Sequence, residues 1–81
     1  MKVRIQFFSR LRDLARTSEM EMEVPETTTA AELLEALFLK TPSLRDWNKS
    51  ILIASGLEFV ERSYLLRPDD EISIMPPVQG G

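Results

Sequence analysis

Residues 29–38 read Thr29-Ala30-Ala31-Glu32-Leu33-Leu34-Glu35-Ala36-Leu37-Phe38. Threonine followed three positions on by glutamate is the capping-box pattern, in which hydroxyl and carboxylate reciprocally satisfy backbone N–H groups left free at a helix start. Ala30, Leu33, Leu34, Leu37 and Phe38 then recur at the i, i+3, i+4, i+7, i+8 spacing of one buried stripe. Thr41-Pro42 closes the run, because proline lacks a donor and disfavours helical backbone in the residue before it. The chain therefore holds one amphipathic helix whose apolar face needs a surface to cover it.

The flanking segments supply that surface. Val3, Ile5 and Phe7 alternate with Lys2, Arg4 and Gln6 across residues 2–7, the period of a half-buried strand. Phe8 breaks the alternation, so it either leaves the strand or faces the opposite side. Ser9–Ala15 reads as a short helix with Leu11 and Leu14 or Ala15 as its apolar side and Ser9 as N-cap. A second alternation, Glu19-Met20-Glu21-Met22-Glu23-Val24, ends at Pro25; its row of glutamates suits an edge strand, where like charge discourages wrong pairing.

On the C-terminal side of the helix, residues 43–50 are mixed polar and read as a helical turn, with Leu44 and Trp47 covering one end of the core. Residues 51–54 and 57–60 read as two short strands joined by a tight turn at Ser55-Gly56. Tyr64, Leu65 and Leu66 lead into Arg67-Pro68-Asp69-Asp70, where proline and aspartate favour a type I turn. Residues 71–75 form the last strand, and Pro76-Pro77 ends ladder hydrogen bonding and stiffens the chain. The order β, short α, β, α, β, β, β predicts an α+β sheet packed on one main helix. It resembles the β-grasp, or ubiquitin-like, fold, which places the terminal strands parallel at the centre of a mixed sheet.

The composition excludes most side-chain chemistry. The chain has 81 residues, 43% hydrophobic and 28% charged, which suits one globular domain without room for a deep cleft. It contains neither cysteine nor histidine. That removes disulfides, thiolate nucleophiles, Cys-based metal sites and the usual general base. The net charge of −3 argues against nucleic-acid binding. The opening MKVRIQFFSR is too polar for a signal peptide, and no apolar run reaches the roughly 18 residues of a membrane span. A reducing, cytoplasmic setting is the expectation. Asp69, Asp70 and Glu71 have metal-ligand chemistry but read as turn residues, so no metal site is expected.

The end of the chain, Pro76-Pro77-Val78-Gln79-Gly80-Gly81, is the feature left over. Six residues in extended form reach roughly 20 Å. Its prolines make a semi-rigid base, and its glycines make a tip thin enough to thread a channel that side chains would block. The terminal carboxylate of Gly81 is then the group a partner's active site can engage. The expected organisation is a domain over residues 1–75 and a flexible tail over residues 76–81.

The run from Leu66 through Asp70-Glu71-Ile72 to Pro76-Pro77-Val78-Gln79-Gly80-Gly81 closely resembles the end of the small, sulfur-carrying subunit of molybdopterin synthase. Val3-Arg4-Ile5-Gln6-Phe7-Phe8 and Leu11-Arg12-Asp13-Leu14 are similar to its opening. Two positions depart from that family: Pro68-Asp69-Asp70 stands where a glycine often lies in the turn, and Ile74-Met75 where an aromatic pair often precedes the prolines.

The resemblance implies a non-catalytic carrier. An E1-like adenylating enzyme would use ATP and Mg²⁺ to turn Gly81 into an acyl-adenylate, and sulfur from a persulfide protein would convert it to a thiocarboxylate. The tail would enter the large synthase subunit, which supplies the catalytic side chains, and deliver sulfur to cyclic pyranopterin monophosphate. No cofactor is expected on the carrier itself, and the family implies a heterotetramer. Phe8, Phe59 and Met75 are expected to face the partner, with Arg12 pairing a partner carboxylate. Two other readings of a Gly-Gly end remain: the sulfur carrier of thiamine synthesis, which tends to lack the Pro-Pro, and a ubiquitin-like modifier of lysines.

Overall fold

The computed structural model describes residues 1–77. Eight elements follow one another: β1 (Lys2–Phe7), α1 (Ser9–Ala15), β2 (Glu19–Glu23), α2 (Ala30–Lys40), a 3₁₀ segment (Pro42–Ser50), β3 (Leu52–Ser55), β4 (Glu58–Val60) and β5 (Glu71–Met75). The five strands form one sheet in the order β2-β1-β5-β3-β4. β1 and β5 are parallel, and every other neighbouring pair is antiparallel. The ends of the domain thus lie side by side in its middle, as the element order predicts, and the glutamate-rich β2 is an edge.

One face of the sheet is apolar because alternation in adjacent strands falls into register. Ile5 pairs with Ile72, Phe7 with Ile74, and Ile53 with Ile74. All five are buried, and the stripe of α2 (Ala30, Leu33, Leu34, Leu37 and Phe38) packs against them. Leu11 of α1 and Leu44 of the 3₁₀ segment, two elements in contact with each other, complete this core, with Trp47 packed alongside.

The start of α2 is fully hydrogen-bonded. Thr29 Oγ1 accepts from the Glu32 N–H at 3.3 Å, and Glu32 Oε1 accepts from the Thr29 N–H at 2.9 Å. The Ala30 and Ala31 N–H groups donate to the carbonyls of Tyr64 and Arg62, at 2.8 and 2.9 Å. The loop after β4 therefore serves as the second half of the cap, and none of these helix-start donors is left unpaired. The guanidinium of the same Arg62 donates to Asn48 Oδ1 at 2.9 Å and to the Asn48 and Ile51 carbonyls, fastening the end of the 3₁₀ segment.

Three local expectations are corrected. Ser9 is not the N-cap of α1: Phe8 holds that position in extended backbone, and Ser9 adopts φ 51°. The reason is that the Phe8 N–H is committed to the Ile74 carbonyl of β5 while its carbonyl accepts from Leu11, so the chain turns at Ser9. The β3–β4 turn is one residue later than the composition suggests. Ser55 pairs with Glu58, leaving Gly56-Leu57 as the loop, and Gly56 has φ 60°. Glycine at the first position of a two-residue hairpin loop is the type II′ signature.

The third correction concerns the turn before β5. Asp69 sits at φ 63°, which makes Arg67-Pro68-Asp69-Asp70 type II rather than type I. Backbone bonds to β1 hold it there: Asp69 N–H to the Lys2 carbonyl at 3.0 Å, and Arg4 N–H to the Asp70 carbonyl at 2.9 Å. The Asp70 carboxylate secures the same turn from inside, accepting from Ser55 Oγ, Tyr64 OH and the Arg67 N–H, each at 2.9 Å. The expected type I turn ignored these partners. Both carboxylate oxygens of Asp70 are thereby used in structure.

These contacts predict opposite effects at adjacent residues. Asp70→Ala leaves the Ser55 and Tyr64 hydroxyls only each other, 3.1 Å apart, and frees the Arg67 N–H; it should cost about 1–3 kcal/mol. Asp69→Gly relieves a left-handed backbone at a side chain that does not favour it and should add up to about 1 kcal/mol. Urea denaturation of both variants checks the signs; two losses of similar size would contradict the turn's assigned conformation.

Candidate functional site

The site is built where β5 leaves the sheet. Because β1 and β5 run parallel, their C-terminal ends meet, and Phe8 comes beside Met75 through the Phe8 N–H to Ile74 carbonyl bond of 3.2 Å. Leu52 pairs with Met75 from the other side. The outer face of the sheet, turned away from α2, then has three rows. Glu21, Arg4 and Glu71 form a charged row, with Arg4 Nη1 3.5 Å from Glu71 Oε1. Glu19, Gln6, Ser73, Ala54 and Phe59 form the next. Phe8, Met75 and Leu52 form the last, and Pro76 follows directly.

Polarity therefore falls along the face toward the point where the tail departs. Phe59 is 69% exposed, Phe8 44% and Leu57, at the hairpin tip, 102%. Large apolar residues gathered on one face mark an interaction surface more often than a folding need. Two shallow grooves cross it. One runs beside Pro76 and Pro77 between Phe8, Arg10, Trp47 and Met75. The other crosses the strands between Gln6, Ala54, Phe59 and Ser73, again bounded by Phe8 and Met75.

Of the residues singled out in the sequence, the structure brings Phe8, Phe59 and Met75 to this face with Pro76 and Pro77 beside them. Arg12 is exposed on α1 and borders neither groove. Arg10 does border one, together with Trp47. The sequence reading missed both as site residues. The turn at Ser9 carries Arg10 toward the tail, and no helical periodicity predicts that turn. Leu57 was missed because the hairpin loop was placed one residue early. Val78, Gln79, Gly80 and Gly81 lie outside the described residues.

Electrostatically the site is plain. No group of three or more His, Cys, Asp or Glu among the described residues could hold a metal ion. No helix among them is long and apolar enough to cross a membrane. What the surface can do is bind: an apolar patch beside an exiting tail can seat a partner and aim the tail at it.

Fold and site together define a ubiquitin-like β-grasp domain that presents an apolar sheet face at the exit of its C-terminal segment. The ThiS family profile matches residues 5–81. The molybdopterin synthase sulfur carrier subunit of Drosophila melanogaster is 34% identical over 86 aligned positions, covering 100% of this chain and 92% of that protein. Its counterpart in Arabidopsis thaliana is 28% identical over 81, covering 100% and 84%. The solution structure of small archaeal modifier protein 1 from Methanosarcina acetivorans superposes with a TM-score of 0.81 at 28% identity, covering 99% of this chain and 96% of that one. The chain belongs to the ThiS family, among relatives that are molybdopterin synthase sulfur carrier subunits.

If the outer face serves binding, stability should not depend on it. Phe59→Ser should change the unfolding free energy by about 0.5 kcal/mol or less, whereas Ile74→Ala on the inner face should cost about 2–5 kcal/mol. Thermal melts of the two variants measure the contrast. Comparable losses would mean that Phe59 is structural.

Proposed function

We propose that this chain is the sulfur-carrying subunit of a molybdopterin synthase, with the terminal carboxylate of Gly81 as its reacting group. The observation that carries the reading is a family match continuous from the first strand through Gly80-Gly81, shared with relatives that bear this name. The absence of cysteine and histidine from the sequence supports it, since chemistry at a chain terminus needs neither.

The steps follow from carboxylate chemistry. A free carboxylate is a poor acyl donor because oxide would have to leave. An E1-like enzyme using ATP and Mg²⁺ makes the mixed anhydride with AMP and releases pyrophosphate. A persulfide sulfur attacks the Gly81 carbonyl carbon and AMP departs; thiol cleavage of the resulting S–S bond leaves the thiocarboxylate. The large subunit binds the outer face through Phe8, Phe59 and Met75, takes in Val78, Gln79 and Gly80 as a thin lead, and receives the sulfur on cyclic pyranopterin monophosphate. A dithiolene contains two sulfurs, so two carriers are consumed per product. Arg10, beside Pro76 and Pro77, is better positioned than Arg12 to meet a partner carboxylate near the tail.

A second reading, attachment to protein lysines, is favoured by the Methanosarcina relative, whose description is that of a modifier. Both readings share the adenylate and diverge at its acceptor.

Incubation with an activating enzyme, ATP and a persulfide donor should exchange one oxygen of Gly81 for sulfur, read by intact-mass spectrometry. No exchange with an enzyme proven active on its own carrier would refute the proposal. Discrete high-mass conjugates on immunoblots of cell extract would favour the modifier instead. Deletion of Gly81 should abolish exchange and leave the thermal midpoint within about 1 °C, because the last residue of a chain, beyond its final strand, contributes little to folding.

A further inference from the structure

The chain's side-chain sulfur is confined to four methionines, since it has no cysteine. Three of them pack against the core. Met22 is buried, Met20, half-buried like Met75, lies on the same inward side of β2, and the Met1 side chain is only 3% exposed. Met75 differs in placement. It follows buried Ile74 on β5 and so points to the outer face, partly exposed, where it bounds both grooves of the docking surface. The neighbours that matter to it are Phe8, Leu52 and Pro76.

We propose that Met75 is a site of reversible oxidation to methionine sulfoxide by hydroperoxides, and that the sulfoxide keeps the free carrier from docking on the partner that covers this face. The thioether sulfur attacks the terminal peroxide oxygen; an S–O bond forms as the O–O bond breaks, and with proton transfer the peroxide leaves as water or an alcohol. Sulfur loses two electrons and the peroxide gains them. A dithiol reductant reverses the step, removing the oxygen as water and becoming a disulfide.

The consequence follows from position. The sulfoxide oxygen is a strong acceptor that water satisfies in the free protein. A partner that covers the apolar row strips that water and leaves the acceptor without a donor, a loss of roughly ten- to hundredfold in affinity. The fold itself is spared, because Met75 pairs with Leu52 through backbone and its side chain is outside the core. This inference rests on the docking role proposed above.

The test uses the full chain without thiocarboxylate, because sulfur-for-oxygen exchange and oxygen addition give almost the same mass gain. The chain is treated with dilute hydrogen peroxide and each methionine is followed by peptide mapping. Its affinity for a molybdopterin synthase large subunit is measured by calorimetry before treatment, after it, and after repair by methionine sulfoxide reductase with dithiothreitol. Met75 should oxidise ahead of Met20 and Met22, affinity should fall ten- to hundredfold, and repair should restore it. Met75→Leu, whatever its own affinity, should show no further loss on treatment. Oxidation elsewhere first, or equal binding of oxidised and untreated chains, overturns the inference while leaving the docking role intact. Failure of the untreated chain to bind overturns the docking role, and with it the block on docking; the peptide map still decides the order of oxidation.

Discussion

The parallel pairing of β1 with β5 is the constraint on which the rest depends. Register from Arg4–Glu71 to Phe7–Ile74 puts the isoleucines of two sequence-distant strands against each other and under α2. Parallel strands need a long crossover, and here everything between residues 8 and 70 serves as one. The turn at Asp70 fixes that register at one end, bonding to the Lys2 carbonyl and the Arg4 N–H. At the other end the same pairing brings Phe8 to Met75 and sends the tail out beside them. A single ladder thus makes the core and sets where Pro76 leaves the sheet.

Division of labour between the two faces of the sheet follows from strand alternation. Inner residues are spent on α2, so the outer face is free to be graded from the Arg4–Glu71 ion pair to the apolar row at the tail. Exposed ion pairs contribute little to stability, so the charged row is not needed to hold the sheet together. A domain this small has no interior to hold a substrate. In the function proposed above, its contribution to chemistry is to carry a group and to present it, with catalytic side chains supplied by the partner it docks against.

Much of the fold was legible because it rests on local rules that tertiary contacts reinforce. The Thr29–Glu32 capping box, the α2 stripe and the alternations of β1 and β5 are each set by residues within a few positions of one another. What escaped was decided at long range. Ser9 is turned by a bond from Phe8 to Ile74, Asp69 is held left-handed by Lys2, and Arg10 reaches the tail only because of the turn before it. Beyond one bridge from Leu65 to Thr29, Leu65 and Leu66 run as loop, because the Leu66 N–H is given to the Thr28 carbonyl and Tyr64 before them caps α2. The outer apolar face was partly legible: Phe8 and Met75 break or end an alternation, whereas Trp47 and Leu57 carry no such mark.

The central claim is that the reacting atom of this protein sits on Gly81 and is delivered through the outer face. Single-turnover sulfur transfer tests it most directly. Chain bearing a terminal thiocarboxylate labelled in its sulfur is mixed with a large synthase subunit and cyclic pyranopterin monophosphate, and label is counted in carrier and product. The account predicts that the label leaves Gly81 and enters the dithiolene, with two carriers consumed for each molybdopterin formed. Label that stays on the carrier, while the same large subunit accepts sulfur from its own carrier, would contradict it.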